Sequence, residues 1–183
     1  MKKVLIFLAE GCEEIEALTV VDLLRRAKVD ISCVSISDSI EVTGSHAIKI
    51  IADTTIDKAD FENADMLVLP GGMPGTLNLE ACSPLMAQVK SFDEKGKYIA
   101  AICAAPTVFG RAGLLVGKKA CCYPGKEDDL KGAEVSFDSV CVDKNIITSR
   151  GMGTAIDFAL KLIEILVDKN TADTLSKGIV YND

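Results

Sequence analysis

Two hydrophobic periods take turns along this chain. Short apolar runs alternate with longer stretches whose apolar positions recur every three or four residues. The runs Lys3–Ala9, Ile31–Ser37, Met66–Leu69 and Tyr98–Ile102 read as strands. Glu13–Lys28, Ser83–Lys95, Ala105–Ala112 and Thr154–Val167 read as helices. In Glu13–Lys28 the expected apolar face combines Ala17, Leu18, Val20, Val21, Leu24 and Ala27. Glutamates open that helix and Arg25, Arg26 and Lys28 close it, which complements the helix dipole. Ser83–Pro84 is a helix start and Gly96 a stop. Thr154 and Asp157 have the spacing of a capping box. Weaker signals predict a short strand at Ala47–Ile51, a helical turn at Asp60–Ala64 and a last helix at Thr171–Ser176. Within Lys118–Ile147, Ala133–Val142 and Ile146–Thr148 flank "DKN", which predicts one or two hairpins.

Repeated strand–helix alternation predicts an α/β fold with a mostly parallel sheet covered on both faces. No Pro/Gly/Ser-rich linker divides the 183 residues, so one domain over 1–183 is expected. Ligands in such sheets bind beyond the carboxyl ends of strands. That singles out the loop after Ala9, the loop after Leu69 and the turn at Cys103.

Composition narrows the class. Twenty basic against 27 acidic residues give a net charge of −7 without a basic run, which argues against nucleic-acid binding. The apolar run Val4–Ala9 is short for a signal peptide and fits a first strand better. No stretch is long enough to span a membrane. Seven cysteines lack C-x-x-C spacing, and His46 is the only histidine, so no zinc site is expected. This usage points to free thiols in a reducing, cytoplasmic compartment.

Cys103 has small neighbours on both sides in "AICAA". A strand that bends sharply into a helix needs them, and a thiol held there is favoured as thiolate. The same residue also suits an inert place in the core. "LPGGMPG" at 69–75 can aim backbone N–H groups at a developing oxyanion, or be only a tight turn. Glu16 is either a solvated helix-start carboxylate or, in an apolar setting, a protonated acid facing the thiol. His46 lies in "TGSH", away from the predicted strand ends. Adjacent Cys121 and Cys122 read as strand residues facing opposite ways rather than a vicinal disulfide.

Four motifs in order, "FLAEGCEEIEA", "VLPGGMPG", "AAICAAPTV" and "TSRGMGTAIDFALKLIEIL", resemble the ThiJ/PfpI superfamily. The resemblance covers nearly the whole chain. Its nearest branch is that of the parkinsonism-associated deglycase and its bacterial relatives. It implies a flavodoxin-like three-layer sandwich and a homodimer. Cys103 then matches the reactive, oxidisable cysteine of the elbow. Glu16 matches a protonated glutamate that hydrogen-bonds it. Gly72 and Ala104 match the oxyanion-hole N–H donors. A substrate or anion pocket would draw on Gly71, Arg26, His46, Tyr123, Met152 and Gly153. Two departures stand out. Peptidase-like members carry a histidine directly after the nucleophile, where this chain has Ala104. Several deglycase-branch members carry a histidine where this chain has Tyr123, and tyrosine is a poor base near neutral pH. The implied activity is processing of small aldehydes or glycated substrates without glutathione, metal or other cofactor. The alternative is an oxidative-stress sensor or redox-regulated chaperone that acts through oxidised Cys103.

Overall fold

A computed structural model describes residues 2–181. The strands are β1 (Lys3–Leu8), β2 (Asp30–Ser35), β3 (Glu41–Thr43), β4 (Lys49–Ile51), β5 (Thr54–Thr55), β6 (Met66–Leu69), β7 (Tyr98–Ile102), β8 (Lys119–Ala120), β9 (Glu134–Val135), β10 (Val140–Asp143) and β11 (Ile146–Ser149). The helices are α1 (Glu14–Arg26), α2 (Gly75–Ala81), α3 (Ser83–Glu94), α4 (Pro106–Arg111), α5 (Ala155–Leu166) and α6 (Lys169–Gly178).

Seven strands form the central sheet in the order β10-β11-β7-β6-β1-β2-β5. Every pair is parallel except β10 with β11, joined by the tight turn that "DKN" predicts. Strand alternation divides the core into two layers. Val4, Ile6 and Leu8 of β1 pack with Ala17, Val20 and Leu24 of α1 and with Phe158, Leu162 and Ile163 of α5. Leu5 and Phe7 pack on the other face with Leu79, Leu85, Val89, Phe92 and Phe109 of α2, α3 and α4. A sheet buried on both faces needs uninterrupted apolar strands, which is why β1, β6 and β7 read so clearly. Each large side chain buried this way contributes about 1.5–3 kcal/mol.

Several local expectations are corrected. Leu18 stands on the outer side of α1 and is exposed, while Leu23 is buried. Ala47–Ile51 does not join the main sheet; its second half is β4, paired with β3 as a separate antiparallel hairpin. The helical turn expected at Asp60–Ala64 lies earlier, as a 3-10 turn at Ile56–Lys58. Ala133–Val142 splits into β9 and β10, and β9 pairs in parallel with β8 rather than in a hairpin. Thr154 and Asp157 do not form a capping box. Thr154 Oγ1 instead meets Ser149 Oγ at 2.7 Å, and Asp157 accepts the Tyr181 hydroxyl at 2.8 Å. α2 is an unpredicted helix hidden behind the glycines and prolines of 70–75. All seven cysteines are free. Cys121 faces Thr148, whereas Cys122 packs into the α2–α4 layer.

Candidate active site

Because β1, β6, β7 and β11 run parallel, their carboxyl ends deliver four loops to one edge of the sheet. Main-chain hydrogen bonds knit these loops together. Glu13 N–H donates to Gly71 O at 2.9 Å and Gly75 N–H to Gly11 O at 3.1 Å. Cys103 N–H donates to Ser149 O at 3.0 Å, and Cys103 O accepts from Tyr123 N–H at 2.8 Å. Cys103 is thereby held at φ 65°, a left-handed conformation that costs a non-glycine residue about 1–3 kcal/mol. Its thiol is half-buried. It faces the Glu16 carboxyl and the backbone N–H groups of Ala104 and Gly72. The Thr107 hydroxyl donates to Ala104 O at 2.7 Å and braces that peptide.

Glu16 projects from the first turn of α1 and is only 1% exposed. Its Oε2 accepts the Gly71 N–H at 2.9 Å. Oε1 is buried and meets no other N–H or hydroxyl among the described residues. The sulfur of Cys103 also faces the carboxyl. Gly71 makes this meeting possible. A Cβ there would lie 2.6 Å from Cys103 Cβ and 2.7 Å from Glu16 Oε2. Gly72 is constrained too, with φ 89° and no room beside Cys12 and Glu13.

Burial pushes the Glu16 carboxyl up to about 7, against smaller opposing effects of Cys103 and the Gly71 N–H. Burial first, then the facing Glu16 carboxylate, pushes the Cys103 thiol up to about 12. The expectation of a thiol pKa lowered by a helix start is therefore reversed, by burial first and by the Glu16 carboxylate second. α4 is only six residues long, and its dipole does not offset burial. A buried carboxyl and a half-buried thiol facing each other favour a single negative charge between them.

The other predicted residues divide. Tyr123 is half exposed and lies over Gly151; a Cβ at Gly151 would touch its ring at 3.4 Å. Met152 and Gly153 belong to the 3-10 turn after β11, at the same edge, with Met152 exposed. These three form a rim. His46 is at the tip of the β3–β4 hairpin and does not face Cys103. Its Nδ1 meets Glu14 Oε2 at 3.0 Å, which raises the imidazole pKa. Arg26 is not brought to this edge within the chain. It ends α1, ion-paired with Asp22 at 2.6 Å. Ten residues of helix put it about 15 Å along the axis from Glu16. Sequence reasoning missed Ser149, whose carbonyl accepts the Cys103 N–H. Its position at the end of the neighbouring strand β11 was the available signal.

The sequence profile of the DJ-1/PfpI family matches residues 2–165. The chain belongs to that family. Protein DJ-1 homolog B of Arabidopsis thaliana is 41% identical over 181 residues, covering 98% of this chain and 41% of the plant protein. The chain thus spans less than half the length of that relative. A Caenorhabditis elegans relative, named glutathione-independent glyoxalase DJR-1.2, is 32% identical over 171 residues, 93% of this chain and 91% of its own. The solved structure of oxidised Toxoplasma gondii DJ-1 superposes with a TM-score of 0.96 at 38% identity, covering 100% of both chains. The three-layer sheet order is therefore a DJ-1/PfpI fold, as the sequence motifs implied.

Proposed function

We propose that this DJ-1/PfpI protein converts small 2-oxoaldehydes to 2-hydroxy acids, with Cys103 as nucleophile and Glu16 as proton shuttle. The observation that supports this most is a buried carboxyl, pushed up to about 7, that faces the Cys103 sulfur. A general acid–base works best when its pKa lies near the operating pH. The glyoxalase name of the nematode relative points the same way.

With methylglyoxal, the thiol proton passes to Glu16 as sulfur attacks the aldehyde carbon. The N–H groups of Gly72 and Ala104 receive the developing alkoxide. Protonation gives a hemithioacetal. Glu16 then removes the proton on the former aldehyde carbon and returns one to the neighbouring carbonyl carbon, while the hydroxyl proton of the first carbon passes to the oxygen of the second. The first carbon is oxidised and the second reduced, so no external electron acceptor enters. Water hydrolyses the resulting thioester to lactate and frees the thiol. Deglycation of early aldehyde adducts would use the same groups. The substrate enters past Tyr123 and Met152. Ala104 leaves no histidine beside the nucleophile, which disfavours peptidase chemistry.

We also read the chain as a cytoplasmic homodimer of one-domain subunits. Ile15 and Leu18 stand exposed on α1, beside the hairpin that presents exposed Ile48 and Ile51. Sedimentation at micromolar concentration checks this; a monomer overturns it.

The test is lactate formation from methylglyoxal by wild type, Cys103→Ser and Glu16→Gln. Steady turnover by wild type alone supports the proposal. A wild type that reacts once with peroxide and never turns over aldehyde would replace it with the oxidation-sensor reading. That second reading has its own support: the two N–H donors that suit an alkoxide also suit the oxygens of a Cys103 sulfinate.

A further inference from the structure

A second pair of sulfur atoms lies away from the Cys103 edge. Cys141 is on β10, the outermost strand of the central sheet, directly opposite Thr148 of β11. Residues opposed in an antiparallel pair present side chains on the same face. Cys121, just past β8, approaches that same threonine from the chain above. Its N–H donates to Thr148 Oγ1 at 3.0 Å, and its thiol donates to Thr148 O at 3.3 Å. Cys121 Sγ also lies 3.6 Å from Thr148 Oγ1, so Thr148 brings the two thiols to one face of the β10–β11 pair as neighbours. Cys121 is fully buried and Cys141 is 3% exposed. The aldehyde mechanism uses neither.

We propose that Cys121 and Cys141 are a dithiol that a hydroperoxide oxidises to a reversible disulfide, independently of Cys103. The two sulfurs have different roles. Cys141 sits on an edge strand that has one partner in the main sheet, so fraying of β10 admits a small oxidant. Its surroundings include the Ser136 hydroxyl, the Lys119 ammonium and the Asp138 carboxylate. Cys141 attacks the peroxide oxygen as thiolate. The O–O bond breaks, and the leaving alkoxide or hydroxide takes a proton. The sulfenic acid so formed is attacked by the Cys121 sulfur. The S–S bond forms, the S–O bond breaks, and hydroxide leaves with the Cys121 proton as water. Two thiols lose two electrons in all, and the hydroperoxide becomes an alcohol or water. The bridge ties β10 to the segment after β8. Because that segment donates to Cys103 O through Tyr123, the bridge also stiffens the floor beneath the rim.

The test uses the full chain carrying Cys103→Ser and Cys122→Ala, exposed to hydrogen peroxide and then alkylated. After trypsin, mass spectrometry follows the peptides 120–126 and 132–144. The expected result is a joined pair that dithiothreitol separates, with loss of the Cys121 and Cys141 thiols in parallel. Cys141→Ser should abolish it. The wild type carries the same test if a variant fails to fold, since fragment ions distinguish Cys121 from Cys122. Peptides that stay alkylated overturn the proposal. So does Cys141 sulfinate without a bridge, or a Cys121 bridge to Cys103 in wild type.

Discussion

Cys103 and Cys141 are the same residue in different company. Cys103 faces a carboxyl and two main-chain N–H donors at the end of a central strand. Cys141 faces another thiol on the outermost strand. A carboxyl can exchange a proton with sulfur but cannot bond to it. A thiol can give up its proton and then close a covalent bond. The partner, more than the cysteine, decides whether a proton or an electron pair is set to move. Cavity size is no guide to either pair. Depressions of about 550 and 530 Å³ lie beside Lys28, at the opposite end of α1 from Glu16. The directed N–H groups and the buried acid mark the chemistry instead.

That contrast can be broken most sharply by Cys103→Ser. Lactate production should fall to the uncatalysed rate while the Cys121–Cys141 bridge still forms. A variant that lost both would mean one thiol system rather than two.

Glu16→Gln should lower turnover by about 10²–10⁴-fold, the range for a lost general acid–base. It also has a signature in stability. Folding raises this carboxyl from 4.5 to about 7, so the folded state holds the proton more tightly. Stability therefore falls as pH rises across that window and levels off above it. Urea unfolding of Glu16→Gln should lack this decline. An unchanged pH slope would remove Glu16 as a buried, proton-holding acid.

Gly71→Ala should separate sulfur from carboxyl without altering either. Turnover should drop and stability fall by about 1–3 kcal/mol, as for overpacked cores. Full activity in a folded Gly71→Ala would mean that the close meeting is dispensable.

Smaller still is Glu14→Gln. Glu14 is buried, yet hydrogen bonds from the His46 ring and from the backbone N–H groups of His46 and Ile48 outweigh burial and hold it at about 2. Its contribution is present above the ordinary 4.5 and is lost as pH falls toward 2. The substitution should cost about 1–3 kcal/mol at neutral pH by leaving donors unpaired. It should loosen the β3–β4 hairpin, read by amide exchange, and spare the Cys121–Cys141 bridge.

Much of this was legible in the chain, for identifiable reasons. β1, β6 and β7 declare themselves because burial on both faces demands continuous apolar runs. The rule that parallel strands present their carboxyl ends together singles out the loop after β1 and the turn at Cys103, whereas Glu16 was picked from the helix start by the resemblance alone. β3 and β5 are short and partly polar, and they carry no comparable signal. The parallel pairing of β8 with β9 joins residues 119 and 134, too far apart for a local turn pattern to suggest. The thiol pKa was misjudged because sequence places a helix start but does not weigh burial or a facing carboxylate. Arg26 was matched by likeness to a residue near a dimer interface; within one chain it lies about 15 Å along α1 from Glu16.

The two glycines at the floor have an evolutionary consequence. A side chain at Gly71 or Gly72 would run into neighbouring atoms at its first carbon, so mutation there is costly. Tyr123 and Met152 stand half in solvent and carry no such restriction. On the proposed function, descendants of this sequence can explore new substrates by changing the doorway while the reaction chamber stays fixed. A saturation library selected on different aldehydes should therefore diverge at the doorway and return the same two glycines each time.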